Sequence, residues 1–539
     1  MKRLLPWFLS LLTGVAMVVG FPPYEVAWLS WMPCIAFTPL IYALLFLPLP
    51  TSQGKRACVA FLLGFFAGAI FFLLTLEWIT SVAWEGLVTL PFYLAIYSGL
   101  WSLFVVMVVR PWMKLKYSSS LRNLLVAVFS AAAWTGLEWL RGTLFTGFGW
   151  NSFGVAFHHN IPLLQICDIT GVGGLSFLGV MTGSITAIAV ERFFLKIKSV
   201  ASQQQLSPIL RPLRPHADVA LTLLLMVGVM SYGIREMFLP SPPQEQLTIA
   251  AVQGNIVQNH KWDRAFEAEI MATYVRESEI AAALHPDLIL WPEAATPEPL
   301  LLNQSIFRQV QQLAEKSGSD FLIGSLHYEE NPARDYNTAI LLTKRASAVD
   351  YYAKTHLVAF GEYIPFRKSF PLFTWIVGDR VLGDFNAGPG PKLLELSVKP
   401  IKLASLLCFE DTLGDLVRRF AQLGAQALVT LTNDGWFGHT AASQQHLVNA
   451  LFRCAETKLP LIRVANTGVT CVVNRFGSVV ETLHSPDGST FLEGLLSTKC
   501  DVPEHPQPTF YVRHGDLFAE ACLVLSLIAV GLKLIRRKK

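Results

Sequence analysis

Eight stretches of the chain are apolar for long enough to cross a bilayer, and they dictate most of what it can become. They fall at 4–21, 26–48, 57–79, 87–109, 123–140, 171–190, 218–234 and 516–535, each near the roughly 20 residues a helix needs to span hydrocarbon. Lipid offers the backbone no hydrogen-bond partners, so such stretches are predicted to be helices. Only 15% of the residues are charged, against about 25% in ordinary soluble proteins. A net charge of +4 is too small to argue for a nucleic-acid partner, and none is expected.

The basic residues serve better as topology markers. Lys2/Arg3, Lys55/Arg56, the group Arg110/Lys114/Lys116/Arg122, the group Arg192/Lys196/Lys198/Arg211/Arg214 and the tail Arg536-Arg537-Lys538-Lys539 all fall on one side of eight spans. The alternate loops 80–86 and 141–170 hold a single basic residue, Arg141. Both termini are therefore expected in the cytoplasm, with residues 238–512 outside. Lys2-Arg3 before the first window imitates a signal peptide, but no A-x-A pattern follows, and that window is expected to be retained. Acidic groups near the span ends, Glu138 and Asp168 among them, are read as interfacial and solvated. The outer loop Gly147-Phe-Gly-Trp150-Asn-Ser-Phe-Gly154 is placed at headgroup height, where Trp is at home. Gly64-x-x-x-Gly68 can pack helices within the bundle or between copies.

From about 245 to 500 the texture changes to short β-rich runs alternating with helical ones: Leu247–Val252, a helix near 263–283, Leu288–Trp291, a helix near 303–317, Phe321–Gly324, Ala339–Leu342, Leu403–Leu407, Ala427–Leu431, a helix near 442–457, Leu461–Val464 and Val469–Val473. Strands alternating with helices predict an α/β sheet with covered faces. The domains expected are a transmembrane bundle of seven helices over 1–237, an external α/β domain over 243–505, and a final transmembrane helix over 515–536.

Several of these runs end in reactive side chains. Asp287-Leu-Ile-Leu-Trp-Pro-Glu293 ends in a carboxylate, Leu403–Cys408 in a thiol followed by Phe409 and Glu410, and Ala427–Leu431 runs into Thr432-Asn433-Asp-Gly-Trp436. Lys354 and Glu362 share the segment Tyr351–Pro365. Sites in α/β sheets form beyond the carboxyl ends of strands, where such residues can converge. Taken singly, each has a plain reading: a buried apolar cysteine, a surface acid, a solvated lysine. The eight cysteines form no CxxC pair and the twelve histidines no HExxH. The adjacent His158-His159 is read as a loop pair rather than a ligand set. No metal and no cofactor are expected.

Together these segments resemble the nitrilase superfamily and, within it, the membrane-embedded apolipoprotein N-acyltransferases. The segments carrying the likeness are Trp291-Pro-Glu293, Lys354-Thr-His-Leu-Val-Ala-Phe-Gly-Glu-Tyr-Ile-Pro365, Leu407-Cys408-Phe-Glu410, Thr432–Gly438 and Arg463–Gly468. The resemblance implies an α-β-β-α sandwich with a Glu293-Lys354-Cys408 triad, its members 61 and 54 residues apart. Seven spans before that domain and one after it match the acyltransferase branch.

What the resemblance implies is as follows. Cys408 takes an acyl chain from a phospholipid as a thioester and passes it to the α-amino group of a diacylated apolipoprotein's N-terminal cysteine. Glu293 acts as general base, while Lys354 and the backbone N–H of Phe409 hold the oxyanion. Lys354, as a nearby cation, also raises the reactivity of the thiol. Glu362 and Glu410 support the site, Asn433 belongs to it, and Trp262 and Trp436 line the substrate path. Phe409 stands where the family often has Tyr. The catalytic domain belongs in the periplasm, and the bundle in the inner membrane of a diderm bacterium. The rival readings are a membrane-tethered hydrolase that uses water as acceptor, a transferase that passes acyl groups to a different amine or lipid acceptor, and a transporter whose external domain only binds ligand.

Overall fold

The computed structural model describes residues 3–113, 119–201, 216–240, 242–344, 349–365, 367 and 384–538. Of the basic markers, Lys2, Lys114, Lys116, Arg211, Arg214 and Lys539 lie outside the described residues. The chain divides into two units, Met1–Phe238 with Asp516–Lys539, and Leu239–Gly515.

In the helical unit, six helices among the described residues are long and apolar enough to cross a membrane. They are Gln53–Thr75, Trp84–Met113, Ser120–Thr143, Gly173–Lys198, Ala217–Phe238 and Leu517–Arg536. The first two windows build shorter pieces. Leu5–Val18 is a helix of 14 residues, and the 26–48 window breaks into two 3₁₀ turns and the nine-residue helix Thr38–Phe46. Pro33 and Pro39 explain the break, since each lacks an N–H and restarts the helix on its own carboxyl side. Gly64 and Gly68 pack Gln53–Thr75 onto Trp84–Met113, because a Cβ at either would overlap Ser98 or Ser102. The motif therefore serves contacts inside the bundle.

The loop expected at headgroup height, Gly147 to Gly154, is folded into the helical unit. Trp150, Phe153 and Phe157 are buried, and Phe153 meets Phe37 and Trp134 edge-on. Glu138 is buried rather than solvated, and its carboxylate accepts the Phe153 amide at 2.6 Å and the Ser176 hydroxyl. Arg141 donates to the Trp150 carbonyl at 2.9 Å. Buried polar groups need such partners, so this pair holds the loop. Asp168 is buried too, taking the Tyr232 hydroxyl at 2.8 Å.

The second unit holds two six-stranded sheets, in the orders β12-β1-β2-β3-β4-β5 and β11-β10-β9-β8-β7-β6. The first comprises β1 (Gln244–Gln253), β2 (Leu288–Trp291), β3 (Asp320–Glu330), β4 (Ala333–Leu342), β5 (Val349–Ala353) and β12 (Gly494–Pro503). The second comprises β6 (Leu393–Glu395), β7 (Lys402–Leu407), β8 (Ala427–Thr432), β9 (Leu461–Ala465), β10 (Cys471–Val473) and β11 (Val479–Thr482). Each sheet has a parallel core, β1-β2-β3 and β7-β8-β9, extended by antiparallel strands.

The sheets face each other, with β1 against β9 and β4 against β7. Helices Glu267–Ala282 and Gln304–Ser317 cover the outer face of the first sheet. There Ile270, Tyr274, Val310 and Leu313 pack on Ile289, Trp291, Phe321 and Ile323. Helix Gly414–Gln422 packs on β7, burying Leu416, Val417 and Phe420. This is an α-β-β-α sandwich. With both faces covered, β2 and β8 are buried at every position, which accounts for their unbroken apolar runs.

Candidate active site

Residues that follow four strands converge. Glu293 follows β2, Lys354 follows β5, Cys408 follows β7 and Asn433 follows β8. The first pair belongs to one sheet and the second pair to the other.

Glu293 is buried and its carboxylate is fully held. Oε1 accepts from Asn337 Nδ2 at 2.7 Å and Oε2 from the Asn433 N–H at 2.9 Å. Lys354 Nζ lies 3.7 Å from Glu293 Oε1 and 2.9 Å from Glu362 Oε1. Lys354 is 1% exposed, and burial of that depth disfavours an ammonium. The Glu362 and Glu293 carboxylates outweigh burial and hold its pKa above the usual lysine range. Glu362 also takes the Val358 N–H at 2.8 Å, so one carboxylate closes the lysine loop and fixes the cation.

Cys408 begins a 3₁₀ turn, Cys408–Thr412, with its own φ at +53°. A non-glycine residue in that region is uncommon, and such positions cluster where chemistry is done. The turn takes the thiol out of the strand's register and leaves it half-buried. Burial first, and then the Glu293 charge, push the thiol pKa above its ordinary range, while Lys354 offsets only part of that. These surroundings favour the neutral thiol over the thiolate. The cation beside it does not make it a standing thiolate.

Glu410 ties the parts of this cluster together. Oε1 accepts from the N–H groups of Thr355 at 2.8 Å and His356 at 3.0 Å and from Tyr352 Oη at 2.8 Å, and Oε2 from the Leu407 N–H at 2.9 Å. It thus fastens the cysteine turn to the lysine loop. Phe409, next to Cys408, has its ring 6.1 Å from His356. Asn433 donates through Nδ2 to Gln258 at 2.7 Å and accepts from Asn466 at 3.0 Å. Trp262 and Trp436 are 40% and 42% exposed, so both rings are accessible to a ligand.

Several site groups gave no sequence signal. Lys261, beside Trp262, is buried and donates to the Glu293 carbonyl at 2.9 Å. Burial pushes its pKa down to about 8 against the pull of Glu293. Asn337, on β4, bridges Glu293 and Glu362. Next to Glu410 in the cysteine turn, Asp411 belongs to a closed ring of charge. His446 contacts Asp411 at 2.9 Å and Asp434 at 3.0 Å, and Arg463 contacts the same two at 2.6 and 2.9 Å. Asp411 lies in the cysteine turn and Asp434 follows Asn433, so the ring locks these two strand ends.

A family model described as the apolipoprotein N-acyltransferase N-terminal domain matches residues 13–185. A second, described as carbon-nitrogen hydrolase, matches residues 248–502. An apolipoprotein N-acyltransferase of Geobacter metallireducens is 32% identical over 544 residues, covering 99% of this chain and 96% of the relative. One from Haemophilus influenzae is 27% identical, covering 100% and 97%. Among solved structures, a carbon-nitrogen hydrolase from Helicobacter pylori is 16% identical with a TM-score of 0.35, covering 47% of this chain and 88% of that one.

Proposed function

The chain belongs to the apolipoprotein N-acyltransferase family, and on that premise we propose how its strand-end residues move an acyl chain. It is a membrane-embedded acyltransferase of lipoprotein maturation. The acyl donor in this reading is a phospholipid and the acceptor is the N-terminal diacylglyceryl-cysteine of an apolipoprotein. Glu293 removes the Cys408 proton as sulfur attacks the ester carbonyl. The oxyanion forms against Lys354 and the Phe409 N–H, donors fixed before charge develops. Collapse expels the lysophospholipid alkoxide, which takes the proton back from Glu293 and leaves a thioester.

The acceptor amine then attacks the thioester. Its pKa near 7.7–8.0 leaves an appreciable neutral fraction at neutral pH. Glu293 takes the amine proton, the amide forms, and the thiolate leaves and is reprotonated. Glu362 and Asn337 hold the lysine and glutamate in place, Glu410 holds the turn, and Trp262, Trp436 and Asn433 flank the substrates. The topology that fits the basic clusters has both termini in the cytoplasm and the sandwich in the periplasm, on an inner membrane.

The observation that carries this reading is the juxtaposition of a held carboxylate, a buried charged lysine and a strained strand-end thiol. Intact-protein mass spectrometry after incubation with phospholipid tests it. An acyl-sized mass is expected on the wild type and not on Cys408→Ala. A diacylated lipopeptide with a free amine should discharge it and gain the same mass. Equal discharge to water would point to a hydrolase, and no adduct at all would overturn the reading.

A further inference from the structure

We infer that Glu25, His158 and His159 form a binding site for a divalent transition-metal ion of the zinc class, in the loops of the helical unit. One ligand atom from each lies within 4.8 Å of the others. Glu25 Oε2 is 2.8 Å from His158 Nε2 and 3.5 Å from His159 Nε2, so both rings address one carboxylate oxygen.

Three features point to a metal rather than a plain ion pair. His158 is only 5% exposed, and its Nδ1 lies 3.2 Å from the Val155 carbonyl. A carbonyl can only accept, so Nδ1 carries a proton. In the neutral ring Nε2 then aims a lone pair at a carboxylate, which needs a cation between them. Next, the 2.8 Å contact lacks the alignment of a hydrogen bond. Two ligands that each sit about 2.0–2.2 Å from a shared ion lie roughly 3 Å apart, each off the other's lone-pair axis. Finally, a single proton serves one imidazole, whereas one ion serves both.

The surroundings agree. Metal-bound histidines usually donate their second ring N–H to a backbone carbonyl or carboxylate, as His158 does to Val155. Two imidazoles and a carboxylate suit zinc and its neighbours, while calcium and magnesium prefer oxygen donors. His159 is 39% exposed, which leaves room for water to complete the shell. The ion would join the segment before the turn Ala27–Leu29 to the one after Phe153–Phe157, two loops far apart in sequence.

Zinc titration of the full-length protein in detergent, stripped with chelator and read by competition with a chromophoric chelator, tests this. His158 is buried and its replacement is liable to misfold, so the variants are Glu25→Gln and His159→Ala. Wild type should take up a single equivalent, and either variant should bind at least about 10-fold more weakly, the range over which even outer-shell partners act. Zinc should also raise the melting temperature of the wild type and not of the variants. No saturable binding, or equal affinity in wild type and both variants, would overturn the site.

Discussion

The Cys408 thiol is pushed upward by its burial and by Glu293, so the proposed base and the proposed nucleophile oppose each other electrostatically. That opposition separates two roles for Glu293. In Glu293→Gln, loss of the charge should lower the thiol pKa, read as a downward shift in the pH midpoint of alkylation. The same change should slow acylation by about 10²–10⁴-fold, the usual contribution of a positioned base. A faster acylation would mean that Glu293 acts only through its field. At this scale the sequence was uneven. Glu293 and Cys408 stood out as candidates because each ends or follows an apolar run, and Lys354 because its segment resembles the family's lysine segment. Lys261 and Asn337 did not, because only the tertiary fold buries them beside a carboxylate, and no spacing marks such a position. The sequence also missed the thiol's sign, since burial is a property of the sandwich.

Among the elements of the sandwich, three of the helices and the central strands follow from periodicity, and the missed strands share a cause. β11 and β12 lie at sheet edges, with exposed positions along their length that blur the apolar pattern. The 26–48 window had a membrane helix's composition but not its continuity, owing to Pro33 and Pro39. The ring that locks the turns after β7 and β8 has a measurable signature. Burial disfavours the His446 cation, yet Asp411 and Asp434 outweigh it and push its pKa up to about 9, from 6.5 unfolded. A raised pKa gives stability that is complete below about 6.5 and is lost as pH climbs toward 9. The gap corresponds to a few kcal/mol at most, at about 1.4 per unit. Lys261, depressed to about 8, has the opposite slope at higher pH. The informative quantity is therefore the melting-temperature difference between wild type and His446→Gln. It should shrink between pH 7 and 9.5, and a difference independent of pH would show that His446 is uncharged in the fold.

For the whole molecule, the division into two units poses a chemical question. Exposing an acyl chain to water costs about 0.8 kcal/mol per CH₂, so a sixteen-carbon chain costs about 12 kcal/mol. Residues 243–505 alone should accordingly keep an alkylatable Cys408 yet fail to acylate lipopeptide from phospholipid at the full chain's rate. Equal rates would show that the helices serve only as an anchor. The general plan was legible at this scale, because long apolar runs and the switch to alternating strands are written along the chain. The burial of Glu138 and of the loop Gly147 to Gly154 was not, since it depends on helices distant in sequence. Within the sandwich, Glu293 and Lys354 hang from one sheet, Cys408 and Asn433 from the other. In the proposed reaction, proton transfer spans a gap set by how tightly two layers are pressed together, and turnover becomes a strain gauge for that spacing. Heat or a slack inner layer should register first as lost rate, while both sheets still stand.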